Sequence, residues 1–132
     1  MQLSSVRILV VDDFEPFRQF VCSTLAKRTE LQVVGEASDG LEAVQKVVEL
    51  KPDLIIMDFR LPSLNGLEAA RKILALISES KVIFLSQESS AEVMQEAFNL
   101  GAWGYVVKTM AGSELFTAVE AVLSGKRFVG ST

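Results

Sequence analysis

The sequence predicts an α/β fold, a three-layer (βα)5 sandwich built on a parallel five-stranded sheet. Three observations predict it. Short apolar runs rich in β-branched residues alternate with amphipathic stretches of helical period. The runs are apolar at consecutive positions rather than every second one, as in strands buried on both faces. The connections are short, with no repeat or low-complexity stretch between them. Strict strand–helix alternation with right-handed crossovers gives a parallel sheet covered on both sides.

Residues 6–11 (VRILVV) form the first strand and lead into Asp12-Asp13. Residues 14–28 follow as a helix. Pro16 suits the first turn, and Phe17, Val21 and Leu25 recur at helical spacing. Residues 32–37 are shorter and more polar, an edge strand. Asp39-Gly40 marks a turn, and residues 41–50 form a helix with Val44, Val47 and Val48 inward. Pro52 stops it by disfavouring helix at Lys51. Leu54-Ile55-Ile56-Met57 is a strand closed by Asp58.

Asn65 and Glu68 have the spacing of an N-cap and its partner. The helix they open has Leu67, Ala70, Ile73, Leu74 and Ile77 as its stripe. Residues 81–85 are the fourth strand, ending at Ser86. Ser89 with Glu92 has the capping-box spacing for a helix carrying Val93, Met94, Ala97 and Phe98, which Gly101 ends. Residues 104–107 are a short last strand with Lys108 at its end. The final helix starts near Gly112, buries Leu115, Ala118, Val119, Val122 and Leu123, and stops at Gly125.

The 132 residues suit one domain with one sizeable core, and 49% hydrophobic with 23% charged residues suits a soluble globular protein. No apolar run has the length of a membrane span. Residues 1–5 lack the blocks of a secretory signal. One cysteine, Cys22, rules out an internal disulfide and fits a reducing cytosol; it reads as a partly buried structural thiol. The absence of histidine excludes Ser-His catalysis, imidazole bases and His-ligated zinc. A net charge of −4 makes this chain a poor nucleic-acid binder by itself.

Four strands end in groups that can do chemistry: Asp12-Asp13, Asp58, Ser86 and Lys108. In a parallel α/β sheet these ends share one edge. Two carboxylates about 4 Å apart repel by roughly 4 kcal/mol at an effective dielectric near 20. Three acids therefore need counter-charge. An oxygen-only site without His or Cys suits Mg²⁺, and Lys108 adds one more positive charge. A carboxylate nucleophile, an acidic metal pocket and an ammonium are the parts that phosphoryl transfer needs.

Asp12-Asp13 after the first strand, Asp58 before Leu61-Pro62 and Asn65-Gly66, Ser86 after the fourth strand, and Gly101-Ala102, Gly104-Tyr105 and Lys108 resemble the receiver domain of two-component response regulators. The resemblance covers about residues 6–125 and implies a CheY-like, flavodoxin-like sheet of order 2-1-3-4-5. It implies that the chain is a signalling domain, not an enzyme, and that Asp58 receives phosphate from the histidine of a partner kinase. It implies Mg²⁺ ligation by Asp13, by Asp12 directly or through water, by Asp58 and by the backbone carbonyl of Arg60. Lys108 and Ser86 would bind the phosphoryl group. Tyr105 would change rotamer as Ser86 moves, altering the face of the fourth helix, fifth strand and fifth helix, which is also a dimer surface.

The ending from Leu123 to Phe128 is similar to receivers followed by a LuxR-type helix-turn-helix domain. DNA contact and transcriptional control would then belong to an output domain beyond residue 132. Receivers often carry proline after the lysine, with a cis bond; Thr109 stands there and leaves that bond open. Arg60 and Glu88, each two positions past a site residue, are expected to pair at the entrance and slow attack by water. Three other readings compete. A Mg²⁺-dependent phosphohydrolase would want an acid where Arg60 stands. A flavin module would want a Gly-, Ser- or Thr-rich loop where Asp12-Asp13-Phe14-Glu15 stands. An adaptor that is never phosphorylated would not need the full set of site residues.

Overall fold

The arrangement of strand ends is set by a six-stranded parallel sheet, seen in a computed structural model that describes residues 5–76 and 80–130. The strands are β1 (Val6–Val11), β2 (Leu31–Ala37), β3 (Leu54–Asp58), β4 (Lys81–Ser86), β5 (Gly104–Val107) and β6 (Phe128–Val129). The helices are α1 (Glu15–Leu25), α2 (Gly40–Leu50), α3 (Gly66–Leu76), α4 (Ala91–Asn99) and α5 (Ala111–Leu123). The sheet order is β2-β1-β3-β4-β5-β6. The expected order 2-1-3-4-5 is present, but the expected count of five strands is corrected to six. β6 is two residues long, too short to carry a periodicity.

Alternate side chains of the central strands enter two separate cores. Leu9, Val11, Ile55, Met57, Val82, Phe84, Tyr105 and Val107 pack with residues of α2, α3 and α4. Ile8, Val10, Leu54, Ile56, Ile83, Leu85 and Val106 pack with residues of α1 and α5. Every residue of β3 is buried, as its unbroken apolar run requires.

Several local expectations need correction. Val48 is 52% exposed, and the buried side of α2 runs through Ala43 and Val47. Leu123 is also exposed, because it lies in the last turn of α5. α1 ends at Leu25 rather than near residue 28. Ser90, not Ser89, caps α4, accepting from the amides of Glu92 and Val93. Ile77 lies outside the described residues. Asn65 caps α3 as expected, with the Glu68 amide donating to its Oδ1 at 2.9 Å and its side-chain amide returning to Glu68.

The loop between β3 and α3 is packed without slack. A Cβ on Gly66 would stand 2.5 Å from the Phe59 carbonyl oxygen, so only glycine lets α3 start this close to Asp58. Among the described residues every peptide bond is trans, Lys108–Thr109 included. The chain passes from β5 into α5 through one 3₁₀ turn, Lys108–Met110.

Candidate functional site

Strand register explains how the site assembles. Val11 pairs with Met57, so Asp12 emerges beside Asp58. Asp58 pairs with Leu85, Ser86 pairs with Val107, and Lys108 follows at once. Neighbouring strands are about 4.8 Å apart, so residues separated by up to 96 positions meet at one edge.

Lys108 is the centre of the contact set. Its Nζ donates to Asp12 Oδ2 at 2.8 Å and to Asp58 Oδ2 at 3.0 Å. It also lies 4.6 Å from the centroid of the Phe17 ring on α1. The remaining carboxylate oxygens are engaged by backbone: the Phe14 amide donates to Asp12 Oδ1 and the Arg60 amide to Asp58 Oδ1. Asp12 and Asp58 are buried, whereas Asp13 is exposed. Oxygens of the three acids lie within 4.8 Å of one another.

The electrostatics follow from this crowding. Burial pushes the Asp58 carboxyl above its ordinary range. Its hydrogen bonds to Lys108 and the Arg60 amide, with the Lys108 charge, pull it back, and the Asp12 charge adds to the rise. Burial alone would lower the Lys108 ammonium, but its hydrogen bonds to Asp12 and Asp58 and their charges outweigh burial and leave it raised. Three carboxylates against one ammonium leave a formal −2. A divalent cation balances that, and an all-carboxylate donor set fits a hard one such as Mg²⁺.

Ser86 and Tyr105 face the other way. Ser86 lies on the Phe84 side of β4, and its hydroxyl accepts from the Glu88 amide at 3.1 Å. Tyr105 is fully buried and donates its hydroxyl to the Glu88 carbonyl at 2.9 Å. Arg60 Nε donates to a Glu88 carboxylate oxygen at 3.0 Å, and a second guanidinium nitrogen reaches the same atom. The crevice above these groups has a volume of about 450 Å³. Asp13, Phe14, Phe17, Gln87 and Thr109 line it beside Asp58, Arg60, Ser86 and Lys108. Gln87, which follows Ser86 directly, thus stands at the entrance.

Two contributors carry no sequence signal of their own. Phe17 reads as an ordinary core position but supports the Lys108 ammonium. Arg18, a lone arginine off the apolar stripe of α1, donates to the Asp12 carbonyl at 2.8 Å and to Glu36 at 2.8 Å, fixing the turn after β1. Cys22 is partly buried against the core and does not line the crevice, and burial pushes its thiol up to about 11, with Glu36 adding to the rise.

Fold and crevice together define a CheY-like receiver: a parallel α/β sheet with an acid triad and a lysine at its carboxyl edge. The chain belongs to the response regulator receiver domain family, which matches residues 8–120. It is 39% identical over 121 residues to the DNA-binding transcriptional activator DevR/DosR of Mycobacterium tuberculosis, covering 92% of this chain and 56% of that protein. It is 34% identical over 121 residues to the transcriptional regulatory protein LiaR of Bacillus subtilis, covering 92% and 57%. A solved LuxR-family response regulator from Aurantimonas sp. SI85-9A1 superimposes with a TM-score of 0.90 at 34% identity, covering 95% of this chain and 89% of that one. The chain spans a little over half the length of the curated relatives it matches. Domains of this family are signalling domains rather than conventional enzymes. Among the described residues no helix is long and apolar enough to cross a membrane.

Proposed function

We propose that residues 1–132 are one receiver domain that stores a signal as a phosphoryl group on Asp58. The observation that carries this reading is the Lys108 ammonium held between the carboxylates of Asp12 and Asp58, within an open crevice that Asp13 also lines. An Asp58 oxygen attacks the phosphorus of a phosphohistidine on a partner kinase. The O–P bond forms, the N–P bond breaks, and the electron pair leaves with the imidazole nitrogen. Asp12, Asp13, Asp58 and the Arg60 carbonyl would hold Mg²⁺, which supplies charge neutralisation to the transferring group. Lys108 then pairs with a phosphoryl oxygen in place of Asp58, and Ser86 turns toward the same group.

Arg60 and Glu88 close over the crevice as a pair and slow attack by water; Arg60→Ala or Glu88→Ala shortens the phosphoryl lifetime. Ser86 and Tyr105 relay the change to the face of α4, β5 and α5, which serves as output and homodimer surface. The native protein continues into a LuxR-type DNA-binding domain, acts in the cytoplasm and controls transcription. The phosphohydrolase reading is disfavoured because Arg60, where that chemistry wants an acid, is committed to Glu88.

The test is incubation with Mg²⁺ and acetyl phosphate. The expected result is a gain of about 80 Da that maps to Asp58 and is absent from Asp58→Asn and from protein treated with a chelator. Protein that never gains the mass with metal present is an adaptor working without phosphorylation.

A further inference from the structure

β6 occupies the edge of β5 that the output face would otherwise present. Gly125, at φ +83°, turns the chain back after α5. Phe128 and Gly130 then donate their amides to the carbonyls of Trp103 and Tyr105, each at 2.9 Å. Arg127 reaches across to α4, with its guanidinium carbon 5.9 Å from the Phe98 ring centroid and 5.5 Å from that of Trp103. A Cβ on Gly130 would stand 2.9 Å from the Tyr105 carbonyl oxygen and 2.8 Å from a Glu114 carboxylate oxygen. The segment is thus shaped to lie along β5. Arg127 stays exposed while its guanidinium takes part in that fit.

Tyr105 is also linked to the site through Glu88. Its hydroxyl donates to the Glu88 carbonyl, the Glu88 amide donates to Ser86, and the Glu88 carboxylate accepts from Arg60. The Arg60 amide donates to Asp58. One connected set of hydrogen bonds therefore runs from Asp58 through Arg60, Glu88 and Tyr105 to Gly130.

We propose that the β5 edge is a strand-binding site whose resident ligand is the chain's own segment 126–130, and that phosphorylation of Asp58 releases it. Attachment is by strand addition: main-chain hydrogen bonds supply adhesion, and the Arg127 stack and the glycine-only seat supply register. The attachment is short: a ladder over two residue pairs, the Arg127 guanidinium beside the Phe98 and Trp103 rings, and Phe128 partly buried against the core, each contributing on the order of 1 kcal/mol, the scale of a coupling between sites. Movement of Ser86 shifts the Glu88 segment, Tyr105 loses its acceptor, and β5 loosens its hold on β6. The face of α4, β5 and α5 is then open only in the signalling state. The trigger in this inference rests on the phosphoacceptor reading of Asp58.

The chain has one Trp and one Tyr, and β6 hydrogen-bonds to the backbone of both. The experiment is amide hydrogen exchange on the full chain with Mg²⁺, with and without beryllofluoride. The Phe128 and Gly130 amides are expected to exchange about tenfold faster with beryllofluoride, within the roughly 5–150-fold range of coupled sites. Trp103 emission should shift in parallel, and Asp58→Asn should show neither change. Unchanged Phe128 and Gly130 amides, in protein whose Ser86 and Glu88 amides do respond, overturn the proposal.

If beryllofluoride leaves the Ser86 and Glu88 amides unchanged, the phosphoacceptor reading has failed and the release trigger falls with it. The link from β6 to the site is then read from the other end. Gly130→Val, or Gly130→Pro, which also removes the donated N–H, strips β6 from β5. The single fluorotyrosine resonance of Tyr105 should move and Glu88 should lose protection. An unmoved resonance in a variant whose Phe128 amide is unprotected overturns the coupling.

Discussion

Asp13 differs from its two partners in the acid triad because it is exposed and, among the described residues, no backbone amide holds its carboxylate in the way that Phe14 and Arg60 hold Asp12 and Asp58. With an exposed group the repulsion at 4.8 Å lies near the high-dielectric limit, about 1 kcal/mol. Asp13→Asn should therefore raise the melting temperature in metal-free buffer by a few degrees and abolish most of the further rise that Mg²⁺ gives wild type. Thermal melts with and without the metal check both halves. Tyr105→Phe removes the donor to the Glu88 carbonyl and should cost about 1 kcal/mol by urea unfolding. Asp12, Asp58, Ser86 and Lys108 were legible in the sequence because each terminates an apolar run, and strand ends share an edge. Phe17 and Arg18 were not, because an aromatic on a helical stripe and a lone arginine look the same whether or not a lysine or a carbonyl waits across the turn.

Helix starts show where sequence spacing decides and where it does not. Asn65 and Glu68 admit one register, and that register is present. In the loop before α4, capping-box spacing singles out Ser89, three residues ahead of Glu92, although Ser90 next to it can also cap through its hydroxyl alone. The structure selects Ser90, whose Oγ accepts from the Glu92 amide at 3.2 Å. Ser90→Ala should cost about 1 kcal/mol, while Ser89→Ala should leave the urea midpoint where it was. Equal losses from the two variants would contradict the assigned cap. β6 escaped notice for a related reason: two residues carry no period, and their partner strand is contacted through backbone atoms that any sequence supplies.

Across the whole molecule, the alkaline limit of stability has an identifiable source. Burial raises the Cys22 thiol from 9.0 to about 11, so the folded chain keeps a proton that the unfolded chain has already lost. Unfolding therefore becomes easier as pH rises from 9 to 11, and burial of Tyr105 acts in the same direction. Urea midpoints should fall across that window, and less steeply for Cys22→Ser. A second property concerns the rim opposite the crevice. There the Arg7 amide donates to Asp53, its guanidinium donates to the carbonyls of Leu50 and Lys51, and Ser80 donates to Pro52. β3 is five residues long, about 16 Å at 3.3 Å per residue, so the whole depth of the sheet separates this rim from Asp58. A dye, an affinity handle or a surface-coupling group attached at that rim would stand clear of the crevice, so the molecule can be immobilised by its underside while the opposite edge stays free to work.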